Sequence, residues 1–378
     1  MKRVFAIANS IVSPLGLTAS ETFRAVSEGK SGLRPTNHEY LTNQTFTSAF
    51  SQEQWTNIIA KTQNYNLHSR FEQLLTSSII DVISEADINP SDNGTILIIA
   101  TTKGNIEQLS TMPLDHLYLH RTAKSIANAL GFTNSPLIIS NACISGVAAI
   151  IAGVRLLKVE RYHTAIVAGA DVLCEFIISG FNALNALSTE PCRPFDKDRT
   201  GINLGEGSAA IVLKVKERAG NSDIEILGGS VTNDANHVSA PSRTGEELSR
   251  AIGNALNEAG LTKNDLQFVS AHGTATSYND EMEAKALTLA GLSHLKTHSL
   301  KGYFGHTLGA AGLIESIVCF MSLRNQIFIP STGFEHQGTS EYVNIYTSSS
   351  EISPGAAIKT MAGFGGCNAA LVFQQDIR

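Results

Sequence analysis

Four residues of the sequence have side chains that could act as a nucleophile or stabilise a developing negative charge. They stand in short segments rich in glycine and other small residues, and they are Cys143, His272, Lys301 and His306. A thiol can form a thioester, and two neutral imidazoles can donate hydrogen bonds to one developing negative charge. A fourth segment, 363–368, contains three glycines, whose conformational freedom can present a backbone amide to a substrate. Together these segments predict a nucleophilic site that stabilises an oxyanion.

Cys143 is the candidate nucleophile. It follows an apolar run and precedes a predicted helix that opens at Ser145. A thiol at a helix N-terminus lies at the positive end of the helix dipole, which favours the thiolate. Taken alone, such a cysteine is more often a buried packing residue. The other segments shift the interpretation to a nucleophile. The remaining cysteines lack this setting and are interpreted as packing residues: Cys174, Cys192, Cys319 and Cys367.

The two histidines lie where loops can carry chemistry. His272 ends a predicted strand, 267–271, and α/β proteins place functional loops at strand ends. His306 precedes the small-residue run 308–312, which lets a helix pack closely beside a ligand or another chain. We predict no metal site, because no third ligand stands at helical spacing to either histidine. Two imidazoles that share one negative charge are the favoured interpretation.

The composition describes a compact globular protein. The 378 residues are 43% hydrophobic and 16% charged, and the net charge is −6 without a long run of lysine or arginine. This excludes general disorder and the electrostatic footprint of nucleic-acid binding. The five cysteines are scattered and never form Cys-x-x-Cys, which favours a reducing compartment. No stretch approaches about 20 apolar residues, so we expect a cytoplasmic protein without a membrane span.

Short β-branched runs alternate with longer helical patterns, which indicates an α/β protein. The predicted strands are 4–8, 95–100, 137–140, 164–168, 209–215, 224–231, 267–271, 297–300, 357–362 and 369–373. The predicted helices are 71–86, 145–159, 248–259, 280–290 and 312–323. A charged linker, 216–223, separates two halves of similar element order. We predict an N-terminal half, 1–217, that carries the nucleophile, and a C-terminal half, 218–378, that carries both histidines.

The four segments also resemble a known family. Their order is cysteine, His-Gly-Thr, Lys followed by Gly-His, and Gly-Phe-Gly-Gly, as in the elongating β-ketoacyl-[acyl-carrier-protein] synthases. These are condensing enzymes with the thiolase fold, so the resemblance implies a duplicated α-β-α-β-α fold of five layers. It also implies a decarboxylative Claisen condensation that extends a fatty acid, polyene or polyketide chain by two carbons. No cofactor is implied beyond the phosphopantetheine of acyl carrier protein.

The resemblance assigns the central roles residue by residue. Cys143 would carry the acyl group, and His272 and His306 would stabilise the enolate of malonyl-carrier protein through Nε2–H. Backbone N–H groups of Cys143 and Phe364 would form the oxyanion hole, and the Phe364 side chain would gate the acyl site. Lys301 would organise His306.

Six further positions match supporting residues of the family. Glu315 would partner the family lysine, and Asp280 and Glu283 would support the site or hold a structural monovalent cation. Hydroxyl groups would bind phosphopantetheine at Thr274, Thr276 and Ser239. Acids at helix starts and hydroxyls near turns are also ordinary capping features.

The same resemblance bears on assembly and on alternative functions. The segment 104–136 is shorter than the insertion that lines the acyl tunnel at the family's dimer contact. A homodimer is the default, and a heterodimer with a synthase-like paralogue is the alternative. A chain-length-determining partner subunit typically lacks the nucleophile or a histidine, whereas both are present here. A thiolase using acyl-CoA would need a second catalytic cysteine, such as Cys367, but its second histidine segment differs. The condensing interpretation is therefore favoured.

Overall fold

The computed structural model describes residues 2–235 and 241–375. The strands of the N-terminal half are β1 (Val4–Val12), β2 (Arg34–Thr36), β3 (Thr45–Ser48), β4 (Thr95–Ala100), β5 (Leu137–Ile139), β6 (Thr164–Asp171), β7 (Leu204–Gly205) and β8 (Gly207–Val215). Its helices are α1 (Ala19–Ser27), α2 (Gln52–Thr62), α3 (Arg70–Glu85), α4 (Leu119–Ala129), α5 (Ser145–Lys158) and α6 (Glu175–Ala183).

The C-terminal half begins with a long strand that pairs with the first half. Its strands are β9 (Ile224–Asn233), β10 (Leu266–Ser270), β11 (Lys296–His298), β12 (Ile327–Phe328), β13 (Ser350–Glu351), β14 (Ala356–Gly363) and β15 (Cys367–Gln375). Its helices are α7 (Glu246–Ala259), α8 (Ser277–Leu289), α9 (Lys301–Phe304) and α10 (Ala311–Asn325).

The main strands of the two halves have the same order. From the centre outward they run β1-β8-β6-β4-β5 in the first half and β9-β15-β14-β10-β11 in the second. If the five main strands of each half are numbered 1 to 5 in chain order, their order in space is 1-5-4-2-3 in both halves. In both sets the inner pairs are antiparallel and the outer pairs are parallel. The fold is therefore a duplication, although the two halves show no visible sequence repeat.

The helices complete the five predicted layers. Helices α5 and α10 pack together between the two sets of strands, and their apolar residues share one core with the inner faces of both sets. Helix α3 covers the outer face of the first set, and α7 with α8 covers that of the second. This arrangement confirms the thiolase-like α-β-α-β-α prediction. The two β layers are also joined edge to edge by Phe5↔Glu225 and Ala6↔Ile224.

The central helices cross closely because each carries a glycine at the contact. A Cβ on Gly146 would lie 2.6 Å from the backbone nitrogen of Leu313, and one on Gly312 would lie 3.0 Å from that of Val147. The small residues at the start of α10 thus serve a contact within the chain. The sequence had instead suggested packing against a ligand or another chain.

All ten predicted strands and five predicted helices are present, with ends that differ by a few residues. Strand β4 is buried along its whole length, as expected for a parallel strand covered on both faces. The sequence analysis missed the helices α1, α2, α4, α6 and α9 and the strands β2, β3, β7, β12 and β13. The missed helices have 4 to 11 residues and the missed strands have 2 to 4, so each offers few residues over which an apolar pattern can be recognised.

Candidate active site

Cys143 lies in the tight turn between β5 and α5. Ala142 has a φ of 43°, which turns the chain sharply before the cysteine. The Ser145 hydroxyl donates to the carbonyl of Ala142 at 2.7 Å and accepts from the amide of Asn141 at 2.8 Å. Helix α5 begins at Ser145. The turn therefore fixes the thiol beside a helix N-terminus.

The thiol is protonated at neutral pH. Burial raises the pKa of Cys143 to about 12, the neighbouring Cys367 adds to the rise, and Lys301 and the N–H of Phe364 oppose it. The thiolate expected from the helix dipole is therefore wrong for the resting protein. Cys143 is only 7% exposed, and lost hydration outweighs the partial charge of a helix end.

The backbone of His272 is held by hydrogen bonds on both sides, through its N–H and through its carbonyl. Its N–H donates to Oε1 of Glu283 at 2.7 Å, and the N–H of Gly273 donates to Oε2 of the same carboxylate at 2.8 Å. On the other side, its carbonyl accepts from Nζ of Lys301 at 3.2 Å. A buried carboxylate that accepts two adjacent amides fixes the direction of the loop. Glu283 is therefore a support for the His272 backbone.

The Lys301 ammonium orients His272. Its Nζ lies 3.5 Å from Nδ1 of His272 and forms an ion pair with Glu315, and all three side chains are buried. A lysine can only donate, so Nδ1 accepts and Nε2 carries the hydrogen. The sequence analysis assigned Lys301 to His306. The structure corrects this, because α9 directs the lysine to the carboxyl end of β10.

The backbone of His306 is held by hydrogen bonds, whereas its imidazole ring is not. Its N–H donates to the carbonyl of Asn203 at 2.7 Å, and its carbonyl accepts from the N–H of Gly205 at 3.1 Å. Among the described residues, none bonds to either ring nitrogen. A buried polar ring without a protein partner is suited to bonding a ligand. The ring lines the same cavity as Cys143 and His272.

The nucleophile and both histidines converge. Sγ of Cys143 and one ring nitrogen of each histidine lie within 4.8 Å of one another. The two imidazoles meet edge to face, with centroids 5.2 Å apart. Burial lowers the pKa of both well below the usual value, and Lys301 and Lys359 lower it further. Both rings are therefore neutral at pH 7 and can donate to an anion.

The sequence analysis predicted no metal site because it found no third ligand near either histidine, and this cluster corrects that reason. The third donor that the sequence lacked at helical spacing is Cys143, which the fold supplies from the other half. One thiolate and two imidazoles are ligands that zinc uses. Without a metal, burial keeps the Cys143 thiol protonated, so metal binding at this cluster would have to release that proton.

The glycine loop brings a backbone amide to the thiol. The N–H of Phe364 lies close enough to Cys143 to lower the pKa of its thiol. A Cβ on the preceding Gly363 would lie only 3.1 Å from the backbone nitrogen of Cys143, so a larger residue would push the loop away. The Phe364 ring is 42% exposed and stacks on Phe181 at a centroid distance of 5.8 Å. It stands at the wall of the cavity, where an aromatic gate would lie.

Asp280 anchors the next part of the loop. Its carboxylate accepts from the N–H of Thr274 at 2.9 Å and from that of Phe195 at 2.7 Å. Burial raises its pKa to about 6. The acid therefore joins the His272 loop to the neighbouring loop around Phe195. The nearest donors to Asp280 are backbone amides, as they are for Glu283.

The cavity has a volume of about 370 Å³. Thr274 and Thr276 line it, and their hydroxyls share a hydrogen bond of 2.8 Å. Thr276 precedes α8 without capping it through its side chain, so neither hydroxyl is spent on the helix. Ser239, the third candidate for phosphopantetheine binding, lies outside the described residues.

Sequence reasoning missed one charged residue near the site. Lys359 is fully buried in β14, and its Nζ forms an ion pair of 2.7 Å with Oε2 of Glu315. Glu315 thus bridges two lysines. Burial opposes its charge, but Lys301 and Lys359 together hold the pKa of Glu315 below its usual value. A lone lysine within an apolar strand is the signal that could have identified this residue.

Comparisons with known proteins identify the family. The N-terminal domain of the β-ketoacyl synthases matches residues 1–219, and their C-terminal domain matches residues 224–335. The chain therefore belongs to the β-ketoacyl synthase family. It is similar to 3-oxoacyl-[acyl-carrier-protein] synthase 2 of Vibrio cholerae, with 27% identity over 99% of both chains.

Solved structures share the fold at lower identity. The ishigamide ketosynthase/chain length factor has a TM-score of 0.89 at 23% identity, and it covers 99% of each chain. A ketosynthase in complex with its chain length factor, from Xenorhabdus doucetiae, has a TM-score of 0.87 at 24% identity and covers 99% of this chain and 98% of that one. Within the described part of the chain, no helix combines the length and the apolar character needed to cross a membrane.

Proposed function

We propose that this protein is a β-ketoacyl-[acyl-carrier-protein] synthase that condenses a Cys143-bound acyl group with malonyl-acyl carrier protein. The observation that carries the proposal is the convergence of three buried side chains, Cys143, His272 and His306, in one cavity. A subunit that only shapes a tunnel would need none of these three groups. The relative from Vibrio cholerae is named for synthesis on acyl carrier protein, which supports the same carrier here.

Acyl loading comes first. The sulfur of Cys143 attacks the carbonyl of the acyl thioester, a new C–S bond forms, and the bond to the phosphopantetheine sulfur breaks. The thiol proton leaves with the phosphopantetheine thiolate. Negative charge develops on the carbonyl oxygen in between, and the N–H groups of Cys143 and Phe364 would receive it. The thiol is protonated beforehand, so the proton must depart as the bond forms.

Decarboxylation follows in the same cavity. The bond between the malonyl carboxylate and its α-carbon breaks, CO2 leaves, and the electron pair forms an enolate. Nε2–H of His272 and a ring N–H of His306 donate to the enolate oxygen. Neutral imidazoles suit this task, because a charged one would protonate the enolate. The α-carbon then attacks the acyl thioester, and Cys143 leaves as a thiolate and takes a proton from solvent.

The threonines and the cavity support a route for the carrier arm. Phosphopantetheine would pass Thr274 and Thr276 to reach Cys143. The Asp280 and Glu283 carboxylates would hold this loop while the arm enters and leaves. The arm is a polar chain, and two hydroxyls along the wall can bond its amides.

We propose a two-fold dimer formed through the β5 edge. Strand β5 is the last of its sheet, and Leu137 on it is exposed. The adjacent segment 104–136 exposes Leu109, Leu114 and Tyr118. An open apolar edge of this kind favours pairing with a second strand. A homodimer is the default, and the chain length factor complexes among the structural relatives make a paralogous partner the alternative. All five cysteines are free thiols, which supports a cytoplasmic location.

Separate assays of the two half-reactions test the proposal. His272→Ala and His306→Ala should each slow CO2 release from malonyl-carrier protein by about 10²–10³-fold, the usual effect of losing a preorganised donor. Acyl loading of Cys143 should fall much less. Exposed His294→Ala serves as the matched control. Unchanged CO2 release in both active-site variants would rule out the enolate assignment, and no release by the unaltered protein alone would favour a partner-dependent subunit.

A further inference from the structure

Lys359 is a fully buried cation that the condensation mechanism does not use. It lies in the middle of β14, between Ile358 and Thr360, and has no exposed surface. Its Nζ donates to the carbonyls of Ser270 at 3.2 Å and Ala271 at 2.9 Å. Glu315 provides the third partner. An ammonium has three donors, and each of them has an acceptor here.

The acceptors of Lys359 also support the loop that carries His272. Ser270 and Ala271 directly precede His272, and their carbonyls face Lys359 because β10 and β14 are parallel neighbours. The carbonyl of His272 itself accepts from Lys301. Two lysines thus hold three consecutive carbonyls, and Glu315 lies between the lysines. The direction of His272 depends on this arrangement.

The acceptor set is also one that a metal cation could use. Two carbonyl oxygens and a carboxylate oxygen are hard ligands of the kind that alkali and alkaline-earth ions prefer. The ammonium of Lys359 occupies the position among them. Lys301 and Lys359 together carry one more positive charge than Glu315 neutralises. The excess charge lies beside two neutral imidazoles and the expected enolate.

We propose that Lys359 is a positioning residue that serves as a built-in cation, so that the site operates without a bound monovalent metal ion. The inference rests on the proposed condensation. Lys359 fixes Glu315 and the carboxyl end of β10, and through them it fixes His272. Its charge also favours neutral imidazoles, in line with its lowering of the pKa of both histidines.

A cation-replacement assay tests this directly. Malonyl-carrier protein decarboxylation is measured in tetramethylammonium buffer, with K⁺, Na⁺, NH4⁺ or methylammonium added at constant ionic strength. The unaltered protein should be indifferent to the added ion. Lys359→Ala should be slower by about 10- to 100-fold, as for groups that orient metal-ligating histidines, and a small cation should restore it severalfold. Lys359→Met fills the space, so it should be slow and should not be rescued.

Several outcomes would overturn the inference. One is a requirement of the unaltered protein for K⁺ or Na⁺, which needs no variant to detect. Another is a Lys359→Met protein with an unaltered rate, and a third is a folded Lys359→Ala protein that no small cation restores. Lys216→Ala, which removes a lysine from the linker between the halves, is the control.

A separate readout distinguishes failure of this inference from failure of the proposed function. If the unaltered protein releases no CO2 in any buffer, either alone or with a paralogous partner, the proposed function fails, and histidine titration then decides the role of Lys359. With ¹⁵N-labelled histidine, Lys359→Met should raise the pKa of His272 and His306, because a nearby positive charge is lost. Unchanged titration curves would contradict the role.

Discussion

Nζ of Lys301 lies 3.5 Å from Nδ1 of His272 and 3.2 Å from the carbonyl oxygen of the same residue. One side chain therefore fixes both the tautomer of the imidazole and the backbone that carries it. His306 has no equivalent contact among the described residues. The two histidines thus differ in kind: one is preset by the protein, and the other is free to adapt to the substrate.

This difference predicts the effect of Lys301→Met. The Nδ1 atom of His272 would lose its donor, so the imidazole should populate both tautomers, and CO2 release should fall toward that of His272→Ala. Nitrogen chemical shifts of ¹⁵N-labelled histidine would show the change at His272. Glu315→Gln keeps the lysine and is the matched comparison. A single Nε2–H tautomer in Lys301→Met would contradict the assignment.

The buried histidines predict a pH-dependent stability difference. The folded pKa of His306 lies well below the usual value near 6.5, so below pH 6.5 the unfolded chain binds a proton that the folded chain excludes. Stability is therefore lost as pH falls. His306→Asn removes this penalty. As pH falls below 6.5, the unfolding free energy of the unaltered protein should therefore decrease relative to that of His306→Asn, by at most about 1.4 kcal/mol per pH unit.

Urea unfolding at pH 7.5, 6.5, 6.0 and 5.5 measures that difference. Comparison of the two proteins cancels the opposing contributions of Asp171 and Asp280, whose folded pKa values are raised to about 6. Parallel pH curves for the two proteins would show that His306 titrates normally in the folded state.

The two functions assigned to Phe364 can be separated. Phe364→Ala keeps the backbone N–H that lowers the pKa of Cys143 but removes the ring stacked on Phe181. It should load acyl groups at a similar rate and accept a broader set of them. Phe364→Pro removes the N–H, so loading should fall by about 10²–10³-fold. Circular dichroism checks the fold of both variants. Equal loading by the two folded proteins would exclude this amide from the oxyanion hole.

The sequence predicted much of the fold because the strands are strongly apolar and the helices between them are regular. Strand β4 matches its predicted bounds at both ends. The order of the strands could not be read locally, and the contacts of Lys301 and Lys359 depend on that order. Both lysines reach the carboxyl end of β10 because β14 and α9 lie beside it.

The ionisation state of Cys143 also could not be predicted from the residues next to it in the sequence. The sequence shows a cysteine before a helix, and the dipole argument then favours a thiolate. How much water the folded chain removes from Cys143 depends on loops from both halves, including 363–368 from the far end of the sequence. Burial reversed the predicted direction of the pKa.

The most direct test of the account is intact-mass measurement after incubation with acyl-carrier protein. The unaltered protein should gain the mass of one acyl group, because only Cys143 lies with both histidines in the cavity. Cys367→Ala should retain the adduct, since Sγ of Cys367 faces the carbonyls of Asn141 and Phe364. Cys143→Ala should lose it. An adduct of the same mass on folded Cys143→Ala protein would contradict the proposed mechanism.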